Sequence, residues 1–161
     1  MSGKENLPGD IFEFGVYGGG STKQLAKFGR RVWAFDTYNG IPEEDFNSNN
    51  GDHDHPGKFK CPYKEAEMFK DSPNIVPIKG RFADTLHVVP ESIKAILVYM
   101  DCDLYHSYKQ VLNWLPNHLE HGAVVVVDDY SCCKGARQAI DEWFQKTGLK
   151  FETNTQRFIW S

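Results

Sequence analysis

Val124-Val-Val-Val-Asp-Asp129 is the stretch of sequence that decides the fold. Four consecutive β-branched residues predict a strand, and their uninterrupted apolar character predicts that both of its faces are buried. A strand of this kind belongs in a mainly parallel sheet that is covered by helices on both sides. Because the stretch ends on two acids, it also marks where polar side chains begin.

Apolar runs and helical patterns alternate on either side of this strand. The runs predict further strands over residues 11–16, 32–35, 75–78 and 93–100, and a C-terminal antiparallel hairpin of residues 150–153 and 157–160. The helical patterns fall over residues 21–28, 63–70, 82–88, 105–119 and 134–146. This alternation predicts an α/β fold built on a doubly wound, mostly parallel sheet.

Composition narrows the class of protein further. The 161 residues predict a single domain over 1–161, and the net charge of −4, from 18 basic and 22 acidic residues, argues against nucleic acid as a partner. No apolar run is long enough to cross a bilayer, and residues 1–6 contain no apolar signal segment. We therefore expect a cytoplasmic protein without a membrane partner. None of its four cysteines forms a C-x-x-C pair, so we expect reduced thiols.

The ends of the predicted strands carry glycines or acids. These are the turn Gly15-Val-Tyr-Gly-Gly-Gly-Ser21, then Asp36, then Asp101-Cys-Asp103, and finally Asp128-Asp129. Ligands of open α/β sheets bind beyond the carboxyl ends of the strands, so these residues are the candidates for a binding site.

The glycine turn and Asp36 together predict an adenosine-type ligand. Asp36 follows the turn by about 20 residues, the offset at which an acid binds the two hydroxyls of a ribose. The turn is spaced G-x-x-G-G-G, which differs from the G-x-G-x-x-G fingerprint and argues against a nicotinamide-dependent oxidoreductase.

Asp101, Asp128 and Asp129 form a second group. Three carboxylates at neighbouring strand ends repel one another, so either one of them is protonated or a cation lies between them. Oxygen ligands suit Mg²⁺, Mn²⁺ or Ca²⁺ better than zinc.

Several of these segments resemble the macrocin O-methyltransferase (TylF-type) family of S-adenosylmethionine-dependent enzymes, which methylate sugar hydroxyls of natural products. The matching segments are Glu13 to Ser21, Asp36-Thr-Tyr-Asn-Gly-Ile-Pro42, Gly80-Arg-Phe-Ala-Asp-Thr-Leu86, Met100-Asp-Cys-Asp-Leu-Tyr-His-Ser107 and Val127-Asp-Asp-Tyr130. The resemblance implies the Rossmann-like class I methyltransferase fold with a seven-stranded sheet. It departs from the family at Cys102, where glycine is usual.

The resemblance also implies roles for individual residues. S-adenosylmethionine would contact Glu13, Gly15, Gly18, Gly19, Ser21, Asp36, Phe82, Asp84 and Asp101, and Mg²⁺ would be held by Asp101, Asp128 and Asp129. A cation bound to two adjacent hydroxyls of the acceptor lowers their pKa, and a general base then removes the proton. His53 and His55 are the candidate bases, because they lie in the long polar loop predicted over residues 39–62.

Two functions therefore stay open. One is a Mg²⁺-dependent O-methyltransferase acting on a vicinal diol of a sugar or another small natural product. The other is a catalytically degenerate S-adenosylmethionine-binding module that acts within an oligomer. Because the predicted fold occupies nearly all of the sequence, acceptor recognition falls to the 39–62 loop and to whatever a neighbouring subunit supplies. We therefore expect either a homo-oligomer or a small, accessible acceptor.

Overall fold

A six-stranded sheet forms the centre of the molecule, for which a computed structural model describes residues 8–43 and 55–161. The strands are β1 (Asp10–Phe14), β2 (Val32–Asp36), β3 (Ile75–Lys79), β4 (Ala95–Met100), β5 (Leu119–Val127) and β6 (Arg157–Ile159). They are ordered β3-β2-β1-β4-β5-β6; the first five run parallel, and β6 is antiparallel to β5. The predicted α/β class with a mostly parallel sheet is confirmed.

Helices cover both faces of the sheet. They are α1 (Gly20–Ala26), α2 (Glu65–Met68), α3 (Phe82–Thr85), α4 (Tyr105–Trp114) and α5 (Lys134–Thr147), with short 3₁₀ turns at Leu86–Val88 and Leu115–His118. Side chains of a strand alternate between the two faces. Accordingly Phe12 and Phe14 of β1 pack with α4 and α5, whereas Ile11 packs in a second cluster with residues of α1 and α2. The sheet is therefore doubly wound, as its apolar runs predict.

The prediction of one long helix over 105–119 is wrong at its C-terminal end. The helix ends at Trp114, a 3₁₀ turn follows, and β5 already begins at Leu119, five residues before the predicted start of that strand. Pro116 explains the early end, because its ring lacks an N–H group and clashes with the preceding turn of an α-helix. Gly122, with φ 85°, then lies at the register shift by which β5 pairs first at Leu119 and again from Val124.

The predicted C-terminal hairpin is only half present, so the described residues form six strands where seven were predicted. Residues 150–153 contribute a single bridge, between Glu152 and Arg157, and β6 pairs with β5 instead. The ring of Phe151 packs against Phe144 and Tyr130, with centroids 5.1 and 4.7 Å apart. This packing ties the segment to α5 and the turn before it.

None of the helices in the described part of the chain combines the length and the apolar character that crossing a membrane requires.

Candidate functional site

The carboxyl edge of the sheet holds a cavity at the point where the strand order reverses. β1 lies between β2 and β4, so the chain winds away from β1 in opposite directions on its two sides, which is where open α/β sheets bind ligands. The cavity has a volume of about 180 Å³. Its lining includes Gly15, Tyr17, Asp36, Phe82, Asp101 and Asp103.

Gly15 lines this cavity where the chain leaves β1 and passes close to the end of β4. Its φ of 91° is in the left-handed region, and a Cβ at this position would lie 1.7 Å from the carbonyl oxygen of Asp101. Only glycine fits such a contact. The predicted cofactor contact Gly15 therefore also has a structural reason to be glycine.

The two other predicted glycines of the turn differ from each other. Gly19 is the N-cap of α1 with φ 72°, and a Cβ there would lie 2.8 Å from Sδ of Met68. A Cβ on Gly18 would meet nothing within 4 Å. Neither glycine lines the cavity, and Gly18 borders a separate depression beside Lys23 and Tyr63.

Asp36, at the end of β2, holds the glycine turn in place. Its Oδ2 accepts hydrogen bonds from the backbone N–H groups of Val16 and Tyr17 at 2.7 and 2.9 Å, and its Oδ1 accepts one from Tyr38 at 2.7 Å. The carboxylate also lines the cavity. Asp36 therefore holds the glycine turn and also lines the cavity in which the adenosine-type ligand is predicted to bind.

Glu13 lies beneath the turn and is fully buried. The hydroxyl of Ser21 donates a 2.6 Å hydrogen bond to its Oε1, while Oε2 has no partner among the described residues. Burial raises the pKa of Glu13 to about 7, although the Ser21 hydrogen bond opposes the shift. The predicted contacts Glu13 and Ser21 thus join β1 to α1 and do not line the cavity.

The segment after β3 contributes Phe82, which lines the cavity and packs edge-on against Phe14 with ring centroids 5.6 Å apart. Asp84, its predicted companion, is exposed and lies outside the cavity lining. Arg81 lines the cavity instead.

An acidic cluster borders the cavity at the ends of β4 and β5. Carboxylate oxygens of Asp101, Asp103 and Asp129 all lie within 4.8 Å of one another. Two of these three residues were predicted as metal ligands, and Asp103 is an addition. Its left-handed backbone, with φ 57°, accompanies a turn in which the Asp103 N–H donates to Oδ2 of Asp129 at 2.9 Å.

Asp129 is the most deeply buried member of the cluster and is only 3% exposed. Besides the Asp103 N–H, its Oδ2 accepts a 2.8 Å hydrogen bond from the hydroxyl of Tyr108, a fully buried residue of α4. Burial raises the pKa of Asp129, and these hydrogen bonds oppose that rise. The carboxylate therefore has a fixed orientation.

The cluster has the electrostatics of a cation site. Burial, followed by the nearby carboxylates of Asp129 and Asp128, raises the pKa of Asp101 to about 7. A divalent cation would relieve this repulsion, and three carboxylates supply the oxygen donors that Mg²⁺, Mn²⁺ and Ca²⁺ prefer. The residues present therefore fit such an ion.

The remaining predicted residues lie outside this cluster and the cavity lining. Asp128 is exposed at the end of β5, where its backbone N–H donates to the carbonyl of Met100 at 2.8 Å. His55 is exposed, and its Nδ1 lies 3.1 Å from the carbonyl oxygen of Pro56. His53 falls outside the described residues.

Two aromatic residues of the cavity lie outside the set of predicted cofactor and metal contacts. Tyr17 and Phe59 line the cavity with ring centroids 5.8 Å apart, although they are 42 positions apart in the sequence. Both have a left-handed backbone, with φ of 49° and 61°. Nothing in the local sequence indicates this pairing, because it depends on how the segment after residue 54 returns to the glycine turn.

The fold and this edge define a Rossmann-like methyltransferase of class I. The solved O-methyltransferase NovP is similar with a TM-score of 0.72 and 26% identity, over 96% of this chain and 72% of NovP. CalS11, the calicheamicin methyltransferase, matches with a TM-score of 0.80 and 20% identity, over 98% of this chain and 74% of that one. At this identity the second match shows the fold alone.

Residues 2–156 match the macrocin-O-methyltransferase (TylF) family, and the chain belongs to that family. It is 30% identical to demethyldecarbamoylnovobiocin O-methyltransferase of Streptomyces niveus, over 93% of this chain and 63% of that protein. It is 29% identical to 8-demethyl-8-(2,3-dimethoxy-alpha-L-rhamnosyl)-tetracenomycin-C 4'-O-methyltransferase of Streptomyces olivaceus, over 90% of this chain and 61% of that protein. The chain thus spans less than two thirds of the length of these relatives.

Proposed function

We propose that this chain is an S-adenosylmethionine-dependent O-methyltransferase whose acceptor is a hydroxyl of a sugar or a similar small natural product. The observation that carries the proposal is the convergence of the glycine turn, Asp36 and Asp101 on one cavity at the reversal of strand order. The sugar and natural-product acceptors in the names of the two Streptomyces relatives support the choice of acceptor class.

Asp36 is the proposed ligand of the cofactor's ribose. A carboxylate has about four acceptor positions, and three short bonds from backbone N–H groups occupy most of them here. Those three bonds fix the carboxylate before the ligand arrives. The fourth donor is the Thr37 hydroxyl at a long 3.4 Å, which a ribose hydroxyl would replace at Oδ1. Phe82 lines the same cavity and offers an apolar ring to the bound ligand.

A divalent cation, Mg²⁺ or in its place Mn²⁺ or Ca²⁺, is the second proposed ligand. Asp101, Asp103 and Asp129 would hold it. Asp128 lies outside this group at the end of β5, close enough for its charge to help raise the pKa of Asp101. When bound, such an ion lowers the pKa of two adjacent acceptor hydroxyls. Tyr108 would keep Asp129 oriented, since its hydroxyl donates to Oδ2 of that carboxylate.

His53 and His55 are the proposed bases. A neutral imidazole near the acceptor takes the hydroxyl proton, so that the oxygen can attack the methyl carbon of the sulfonium in line with the leaving sulfur. The polar segment that contains both histidines precedes Phe59, and Phe59 itself lines the cavity.

The proposal predicts that Asp128→Ala spares cofactor binding but lowers methyl transfer by about 100-fold or more, because it removes a carboxylate beside the cation. The measurement is transfer of labelled methyl from S-adenosylmethionine to a panel of sugars with vicinal diols, with Mg²⁺ and with a chelator. Asp71→Ala, a change at an exposed aspartate after α2, is the matched control and should keep full activity.

Full activity of Asp128→Ala, or full activity of the unchanged chain in the chelator, would contradict the cation's role. Cofactor binding without transfer to any acceptor in the panel would favour the degenerate binding module.

A further inference from the structure

Two adjacent cysteines lie on the far side of Asp129 from the tyrosine that orients it. Sγ of Cys133 is 3.6 Å and Sγ of Cys132 is 3.9 Å from Oδ1 of Asp129, and the two sulfurs are 3.4 Å apart. Oδ1 is the oxygen that the Tyr108 hydroxyl and the Asp103 N–H leave unused, since both donate to Oδ2. The Asp129 carboxylate therefore uses Oδ2 for Tyr108 and Asp103 and faces the two cysteines with Oδ1.

These three distances match one face of a metal-centred tetrahedron. With zinc–sulfur bonds of about 2.3 Å and a zinc–oxygen bond of about 2.0 Å, tetrahedral geometry places two sulfurs about 3.8 Å apart and a sulfur and an oxygen about 3.5 Å apart. The observed separations of 3.4, 3.6 and 3.9 Å lie within a few tenths of an ångström of these values. Small side-chain shifts would be enough to close the three atoms around an ion.

The backbone holds the three residues in this arrangement without an ion. The N–H groups of Cys132 and Cys133 donate to the carbonyl oxygen of Asp129 at 3.3 and 2.9 Å, and Cys133 is the N-cap of α5. Asp129 is 3% exposed, whereas Cys132 is exposed to solvent. The group is thus fixed on its inner side and open on its outer side, which leaves a fourth position for water.

We propose that Cys132, Cys133 and Asp129 form a binding site for a thiophilic divalent cation such as Zn²⁺ or Cd²⁺. Thiolates are ligands that these ions prefer and Mg²⁺ does not, and the carboxylate oxygen supplies a third ligand. Binding forms two metal–sulfur bonds, and the two thiol protons pass to the buffer. The site adjoins the cluster of Asp101, Asp103 and Asp129, shares one carboxylate with it, and does not depend on methyl transfer.

The test is a Cd²⁺ titration of the whole chain in a buffer with a non-thiol reductant, followed by thiolate-to-metal charge-transfer absorption in the ultraviolet. We expect one Cd²⁺ per chain, and Zn²⁺ should compete for it. Cys132→Ser and Cys133→Ser should each weaken binding by more than about tenfold, because each removes a direct ligand.

Cys61→Ala is the matched control, since Cys61 is a buried thiol in the second core cluster. It should bind Cd²⁺ as the unchanged chain does. Asp129→Asn should also weaken binding, but Asp129 is buried and its substitution can unfold the chain, so the two serine variants carry the test. Absence of the absorption in the unchanged chain, or equal absorption in either serine variant, would overturn the proposal. Because the Cd²⁺ titration needs neither cofactor nor acceptor, its result is independent of whether the chain transfers methyl groups.

Discussion

Glu13 and Asp129 are buried acids that the fold accommodates in different ways. Asp129 receives a tyrosine hydroxyl and a backbone N–H at Oδ2, so its charge is partly compensated by hydrogen bonds. Glu13 receives one hydroxyl at Oε1, and its Oε2 has no partner in the described part of the chain. Because this hydrogen bond offsets the burial only in part, the charged form is disfavoured, and Glu13 keeps its proton to higher pH than an ordinary glutamate.

This difference predicts a pH dependence of stability that Glu13→Gln removes. The pKa of Glu13 is about 7 in the folded chain against 4.5 ordinarily, so between these values the folded state binds more protons than the unfolded state. Stability from this group is therefore present at low pH and is lost as pH rises through about 7. Glutamine does not titrate, so the variant should gain on the order of 2 kcal/mol relative to the unchanged chain between about pH 5 and pH 8.

Urea denaturation at both pH values measures the difference. Glu67→Gln, a change at an exposed glutamate of α2, is the control and should show no such gain. A free-energy difference for Glu13→Gln that stays constant with pH would show that Glu13 is already ionised in the folded chain.

At the scale of the elements, the site depends on how closely the ends of β1 and β4 approach each other. The N–H of Gly15 donates to the carbonyl of Phe35 at 2.9 Å, and the N–H of Asp101 donates to that of Phe14 at 2.8 Å. These bonds continue the sheet one residue beyond its strands. They bring the glycine turn and the acidic cluster into one cavity.

Gly15→Ala should therefore destabilise the folded chain, whereas Gly18→Ala should leave its stability nearly unchanged. The new Cβ at Gly15 would lie 1.7 Å from a backbone oxygen, at a φ that alanine rarely adopts, so we expect a loss of about 3 kcal/mol or failure to fold. At Gly18 the new methyl group meets nothing within 4 Å, so stability should change by less than about 0.5 kcal/mol.

The affinity for S-adenosylmethionine should nevertheless fall in Gly18→Ala, because the methyl group stands where the cofactor is proposed to approach the turn. Urea denaturation and calorimetry on the same two variants give both quantities. Equal stabilities for the two variants would contradict the account of Gly15, and unchanged affinity in Gly18→Ala would remove Gly18 from the binding site.

The positions of the strands could be predicted from the sequence because each is an apolar run, and so could the acids that end β2, β4 and β5, since each follows its run directly. The burial of both faces predicted for the run from Val124 to Val127 is only partly observed, because Val125 and Val127 are buried whereas Val124 and Val126 are half-buried. The early end of the 105–119 helix could also have been predicted, because Pro116 is present in the sequence. The incomplete hairpin could not be predicted, because it depends on tertiary packing. Phe151 packs against α5 and the turn before it, and this packing replaces strand pairing.

The acidic cluster marks a limit of prediction at the residue level. The sequence places Asp103 two positions beyond the end of β4 but does not specify its left-handed backbone, which brings it to Asp129. Cys102 is a position where the sequence departs from the family but the backbone does not require glycine. The departure from the family's glycine is tolerated because Asp103, and not Cys102, is the residue with positive φ.

At the scale of the whole molecule, two apolar clusters support one polar edge. The larger cluster packs α4 and α5 against one face of the sheet, and the smaller packs residues of α1 and α2 against the other. Neither cluster supplies the chemistry. The carboxyl edge does, because parallel strands deliver their terminal residues to the same place.

The central claim is that this edge binds S-adenosylmethionine, and titration calorimetry with and without Mg²⁺ tests it most directly. The folded chain should bind the cofactor, Asp36→Ala should weaken binding by at least about tenfold through loss of a charged acceptor, and Asp128→Ala should leave it unchanged. Circular dichroism of each variant would establish that it is folded. A folded, unchanged chain that shows no binding of S-adenosylmethionine under either condition would contradict the account.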